Sequence, residues 1–353
     1  RAVSMSARVG MSSDAEKRAG KKGNRTGVRL KVARYIIKRT LLFIPAILVI
    51  LFILYTLIYF LPGSRMAMMP ISRGGDALDS LFTSISAPDN FFTKFVRYIY
   101  NIIAHRDFGR STPSSAGLMS DIAYRIKNTL LLLLTGVGAT IVVGVPLGIY
   151  AALRKGRAAD RVVSVITVFL SALPPYTVAI VLAIVICVRL SLLPVTHVAS
   201  DPKAYILPTV TIALGGIASV ARMARSSMLE VLEQPYITAL RSKGLPERSV
   251  ILKHALKNAM IPVISALGGL IAQLLCGTFV VENFFMVPGL GSFMLNSLSV
   301  RDHFEILGCA VILIIILMCM NLVSDILYGF VNPKIRLRYA EKPARRKRKE
   351  AAG

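Results

Sequence analysis

The 353-residue chain is 54% hydrophobic and only 17% charged, with a mean hydropathy of +0.62. That balance excludes an ordinary soluble domain, in which about a quarter of residues are charged. The net charge of +25 invites a nucleic-acid partner, but its placement argues against one: residues 1–40 hold twelve Lys/Arg against two acids and residues 331–353 hold nine against two, so the tails carry 17 of the 25.

In chain order, residues 1–40 read as a basic, largely disordered cytoplasmic tail beside anionic lipid. Six windows then lack Asp, Glu, Lys and Arg altogether: 40–64, 128–153, 162–188, 204–221, 258–281 and 306–324. A bilayer core about 30 Å thick needs roughly 20 apolar helical residues, and backbone in lipid must satisfy its own hydrogen bonds. The windows therefore predict an all-α membrane protein with six spans, at about 41–61, 129–153, 162–188, 204–224, 259–281 and 306–330. The first, "LLFIPAILVILFILYTLIYFL", has no charged face. It is also too long for a cleaved signal peptide and is not followed by a small-residue cleavage site.

Segment 62–128 is long for a connection. Within it "FFTKFVRYIYNII" (91–103) sets Phe91, Phe95, Tyr98, Ile99 and Ile102 on one face and Lys94, Arg97 and Asn101 on the other. That pattern predicts an amphipathic helix, either a docking surface or a lid packed on the bundle. Span two aligns Gly136, Thr140, Gly144 and Gly148 at intervals of four, a face that permits close helix approach. Span three carries Pro174-Pro175 at its middle, which predicts a kink. Arg222 and Arg225 stand at the inner end of span four, where long side chains can reach lipid headgroups. Span five repeats the small-residue spacing with Gly268, Ala272 and Cys276, with Ser265 and Gly269 one row over. Asp325, near the inner end of span six, is almost the only other ionisable residue in a span. Carriers driven by protons or sodium more often bury carboxylates at mid-membrane. Residues 331–353 form a second basic cytoplasmic tail.

Six spans put both ends on one side. With that side cytoplasmic, the inner segments hold 32 Lys/Arg against 11 outside, in keeping with the positive-inside bias. The basic stretch "EQPYITALRSKGLPERSVILKHALKNAMIP" (233–262) then faces the cytoplasm. Tyr236, Ala239, Leu240 and Lys243 fall on one face of a short helix. Gly244 suits its left-handed stop. Pro246 suits the first turn of a second helix, with Val250, Ile251, Ala255 and Leu256 as its apolar contacts. Such an element, joined to span five, could be pushed by a soluble partner.

The residues point away from chemistry. Gly-Lys-Ser and Gly-Lys-Thr never occur, so no phosphate-cradling loop is present. Cys187, Cys276, Cys309 and Cys319 form no CxxC, and His105, His197, His254 and His303 are scattered, so neither a metal site nor a cofactor is indicated. No catalytic constellation stands out.

The 233–262 stretch resembles the EAA loop of binding-protein-dependent ABC importer permeases. The E-A-A positions would be Thr238, Ala239 and Leu240, the glycine Gly244, and the closing I-x-L-P positions His254, Ala255, Leu256 and Lys257. Only the glycine, the middle alanine and the leucine agree with that general pattern. The loop of the dipeptide/oligopeptide/nickel branch is much closer to "SKGLPERSVILKHALKNAMIPVI". Other landmarks of that branch follow in order: "FLPG" after span one, "RDFGRS" (106–111), "LPPY" (173–176), "VENFFMVPGLG" (281–291) and "NPKIR" (332–336). The branch usually has Glu-Thr where this chain has Glu282-Asn283, and Asp-Pro where it has Asn332-Pro333. The resemblance implies a six-helix bundle of the type I importer permease kind and half of a translocation pore. It also implies a second homologous permease subunit, two cytoplasmic ATPase subunits and an external solute-binding protein. The short helix would be the coupling helix, with Tyr236, Ala239, Leu240, Lys243, Gly244, Leu245 and Pro246 at the ATPase contact. Peptides are the first choice of substrate, with nickel chelates and sugars also carried by the branch. A secondary carrier and a membrane scaffold are the readings from other classes.

Overall fold

A computed structural model describes residues 41–60, 90–105, 108, 118–198 and 201–331. Both basic tails, most of segment 62–128 and the "FLPG", "RDFGRS" (apart from Phe108) and "NPKIR" landmarks lie largely or wholly outside the described residues. The chain divides into two compact units. One takes Arg1–Pro45 with Leu322–Gly353, of which residues 41–45 and 322–331 are described as helix. The other, Ala46–Asn321, holds most of the described helices, including every contact and cluster that follows.

The described residues contain helices and connections, and no strand. Helix α1 is Leu41–Tyr59. Helix α2, Phe91–Tyr100, runs into a wide turn at Asn101–His105. Its Phe95 and Tyr98 are buried against Tyr55 of α1, with Phe91, Ile99 and Ile102 half-buried around them. The rings of Phe95 and Tyr98 lie 5.2 and 5.6 Å from that of Tyr55. The apolar face of this segment thus packs on α1, together with Ile306 and Leu307.

Helix α3, Leu118–Leu153, has 36 residues and spans roughly 54 Å, well beyond a bilayer core. It begins ten residues before its charge-free window. A window free of charge measures the length that lipid can cover, whereas a helix continues wherever its backbone bonds and one face stay satisfied. Leu118 and Ile122 are buried there, although Asp121, Arg125 and Lys127 share the segment.

Helix α4, Ala158–Ala172, meets at 106° the segment Pro175–Arg189, which is helix α5, Pro175–Leu182, continued by a wide helical turn at Ala183–Arg189. The sequence predicts a kink here, and the structure has a break. Pro174 keeps Leu173 out of the helical region, and Pro175 does the same to Pro174. Both adopt extended backbone, with ψ 127° and 144°. A single proline removes one hydrogen bond, whereas two consecutive extended residues end the helix.

After a short turn at Pro202–Tyr205, helix α6 runs Ile206–Leu232 and helix α7 runs Pro235–Ser242. Helix α8, Glu247–Phe284, contains a wide turn at Val250–Ala255. Helices α9, Leu290–Val300, and α10, His303–Val331, hold the last of the described residues. Among the described residues, five helices are long and apolar enough to cross a membrane, and the bent α4–α5 pair makes a sixth if it is one span.

Helices α3 and α6 pack with their backbones close. A Cβ on Gly148 would stand 2.3 Å from the Ala221 carbonyl oxygen, and one on Gly144 would stand 3.1 Å from that of Ile217. Gly136 faces the Ile212 side chain at 3.2 Å. From the other side, a Cβ on Gly216 would meet Thr140 Oγ1 at 2.6 Å. On α8 the inward row is Leu267, Leu270, Ile271 and Leu274, all buried. Gly268 and Ala272 are half-buried and Cys276 is exposed, so that small-residue row is not the face α8 packs on within this chain. Arg222 and Arg225 depart from the sequence reading too. They do not extend toward headgroups but turn onto α4, where carboxylate and carbonyl oxygens satisfy them.

Candidate functional site

Helix α7 is the short helix predicted from the sequence between spans four and five, and its local physics is legible. Gln234 is extended and Pro235 occupies the first helical position, where its missing N–H costs nothing. Ile237 is 0% exposed and packs with Ala152 of α3, Met228 of α6, and Val250, Ala255 and Ala259 of α8. Leu240 and Leu245 are half-buried against the same cluster. At the C-terminal end, Gly244 N donates to Arg241 O at 2.9 Å and Leu245 N donates to Leu240 O at 3.4 Å. Gly244 has φ +76°. These two bonds with a left-handed residue form a Schellman stop. Pro246 stands one position earlier than the sequence places it. It is the extended residue before the α8 helix, with ψ 139°. That angle lets its carbonyl accept from Ser249 N and Val250 N, at 2.8 and 3.2 Å.

The four residues assigned to one face divide. Leu240 turns inward, while Ala239 and Lys243 are exposed. Tyr236 is 39% exposed, and its hydroxyl accepts from Asn258 Nδ2 of α8 at 2.8 Å. Arg241 forks onto Glu247 at 3.1 and 2.7 Å across the turn, an exposed pair worth at most about 1 kcal/mol. Lys155, from the turn between α3 and α4, meets Glu233 at 2.8 Å, and this contact holds the Glu233 carboxyl below its usual range. The result is a short rigid element. A buried isoleucine anchors it to the ends of three long helices, and a small, basic surface faces outward. It offers no nucleophile or base.

A second polar cluster lies at the other end of α8, in the "VENFFMVPGLG" stretch. Glu282 is 0% exposed. Its Oε1 accepts from Thr129 Oγ1 of α3 at 2.7 Å, and its Oε2 accepts from Gly291 N and Ser292 N at 2.8 and 3.1 Å. Those two amides open α9, where the helix dipole favours a negative charge. Leu290 N donates to Thr129 Oγ1 at 2.8 Å, and Asn128 Nδ2 to Pro288 O at 2.9 Å. A Cβ on Gly289 would fall 2.2 Å from the Glu282 carboxyl carbon. The cluster ties α3, α8 and α9 into one corner.

Sequence reasoning missed Ile237, Glu282 and Asp160. Ile237 stands three residues before Leu240, so helical spacing alone could have paired them. Glu282 directly follows a charge-free window and precedes two glycines separated by one residue, a pattern open to reading as a close approach. Asp160 and Arg225 carry opposite charges at neighbouring span ends. Their pairing depends on how α4 and α6 rotate.

Residues 144–337 match the family model of binding-protein-dependent transport system inner membrane components. The chain is 34% identical over 311 residues to the dipeptide transport system permease protein DppB of Bacillus subtilis (strain 168), covering 87% of this chain and 99% of that protein. It is 33% identical over 304 residues to the glutathione transport system permease protein GsiC of Escherichia coli (strain K12), covering 86% and 98%. Among solved structures, an inward-facing form of the MetNI methionine ABC transporter superposes with a TM-score of 0.52 at 17% identity. That match covers 63% of this chain and all of the other, and it shows a shared fold.

Proposed function

Because the chain belongs to the family of binding-protein-dependent transport system inner membrane components, we propose that it forms half of a pore importing small peptides, driven by ATPase subunits docked on α7. The observation that carries this reading is α7 itself. It is an exposed helix with one fully buried anchor, held between α6 and α8, so a push on its outer face moves both. The sequence supplies no phosphate loop of its own, so the energy comes from separate chains. The partners are two cytoplasmic ATPase subunits, a second homologous permease and an external solute-binding protein. The chain is a multi-pass membrane protein whose termini, by the 32-to-11 charge split, lie in the cytoplasm. Peptide as the substrate rests on the relatives, one named for a dipeptide and one for glutathione, itself a small peptide.

The test is Ala239→Glu, which places a carboxylate on the exposed face of α7. A charge left buried and unpaired at a contact costs about 3–5 kcal/mol. The variant should insert and pair with the partner permease but lose both the ATPase on co-purification and dipeptide uptake. Normal co-purification and uptake would sink the reading.

A further inference from the structure

Helix α4 is fastened in an unusual way. Its only buried residues are Asp160 and Thr167, both polar, while Val162, Val165, Val168 and Phe169 are exposed. Both buried residues bond to arginines of α6. Asp160, 4% exposed, takes a forked pair from Arg225, with Nε at 2.5 Å from Oδ1 and Nη2 at 2.9 Å from Oδ2. Oδ2 also accepts from Gly156 N at 3.0 Å, in the turn that leads out of α3. One turn along α6, Arg222 Nη1 donates to Thr167 O at 2.7 Å and to Ser171 Oγ.

Apolar surfaces can slide over one another at little cost, because dispersion and the hydrophobic effect are non-directional. A forked guanidinium–carboxylate pair fixes distance and orientation together. Helix α4 is therefore registered to α6 by polar links and not by a packed core. The same α6 carries Met228, which packs on Ile237 of α7. At its other end α4 meets the Leu173-Pro174 break, beyond which α5 packs on α6 and α8 through the buried Val178 and Ala179.

We propose that Asp160, gripped by Arg225, is a positioning residue through which displacement of α7 reaches α4 and then the break before α5. The proposal rests on the reading of α7 as the ATPase contact. In it, α6 carries α4 by the Arg225 fork and the Arg222 contact, and the 106° break turns a shift of α4 into a rearrangement inside the bundle. A pair that only stabilised the fold would, when lost, lower hydrolysis and transport in proportion. A transmitting pair changes their ratio.

The experiment uses the assembled complex in proteoliposomes, with its ATPase subunits, partner permease and binding protein, and tritiated dialanine as the probe. Asp160→Asn keeps the shape and removes the charge. It should assemble and hydrolyse ATP, while dialanine moved per ATP falls roughly five-fold or more, the lower end of coupling between linked sites. Arg225→Lys keeps the charge but cannot fork, and should lower the same ratio less. The exchange Asp160→Arg with Arg225→Asp should restore part of it. An unchanged ratio in Asp160→Asn overturns the proposal, whether absolute rates hold or fall together. If Asp160→Asn does not assemble, an unchanged ratio in Arg225→Lys overturns it equally. Retention of the ATPase by Ala239→Glu removes the reading of α7 beneath the proposal. An unchanged ratio while α7 still governs ATPase binding removes the role of Asp160 alone.

Discussion

Gly244 and Gly289 are both required, for different physical reasons. Gly244 has φ +76° and open space around the position of a Cβ, so only backbone strain opposes a side chain there. Gly244→Ala should cost about 1 kcal/mol and Gly244→Val more, through β-branching in the left-handed region. Both should loosen the α7 stop, seen as faster hydrogen exchange at the Gly244 and Leu245 amides. Equal protection in Gly244→Val and the parent chain would mean that the turn does not depend on glycine. Gly289 has no positive φ but no room either, because the Glu282 carboxylate fills the place of its Cβ. Removing the Thr129 hydroxyl tests the same corner. Thr129→Val leaves Leu290 N without its acceptor and Glu282 Oε1 without its donor, at a cost of about 1–3 kcal/mol. Thermal unfolding in detergent should register a lower Tm. A Tm within error of the parent would show that other donors replace the threonine.

At the scale of elements, the α3–α6 contact separates glycines that matter from one that does not. Gly148 lies against Ala221 and Ala224, whereas a Cβ on Gly138, on the same helix, meets nothing within 4 Å. Leucine at position 148 cannot be accommodated without separating the helices, so Gly148→Leu should abolish folding or transport. Gly138→Leu should be tolerated, with expression and uptake near those of the parent chain. Similar behaviour of the two would contradict the close approach. Helix α8 uses the opposite strategy inside the chain, with large buried residues and a small-residue row left half-open.

For the whole molecule, the proposed orientation rests on the charge split, and the proposed separate energy source rests on the family. An impermeant thiol reagent applied to intact cells should label Ser80→Cys and spare Ser249→Cys, in a background without the four native cysteines. The reverse pattern would invert the topology. The purified chain should show no ATP hydrolysis above background until the ATPase subunits are added. Turnover by the chain alone would refute a separate energy source.

The sequence by itself determined the class of fold. Charge-free runs long enough, or nearly so, to cross a bilayer satisfy their backbone in lipid as helices, and the described residues hold five such helices with a sixth if the bent pair is one span. It also located the amphipathic helix at 91–103, because a period of 3.6 residues is a local property. The Gly244 stop was legible for the same reason, since a left-handed cap involves only residues within one turn. What tertiary structure decided is which side chains meet across distant segments. Arg225 reaches Asp160 across 65 positions and Glu282 reaches Thr129 across 153, and neither pairing has a periodicity to betray it. The double proline announced a disturbance, but not its size, because the final angle depends on what α4 and α5 each pack against. Tyr236 and Leu240 share a face on a helical wheel yet have different surroundings. One bonds Asn258 and the other joins the cluster around Ile237, because the ends of three long helices meet one side of α7.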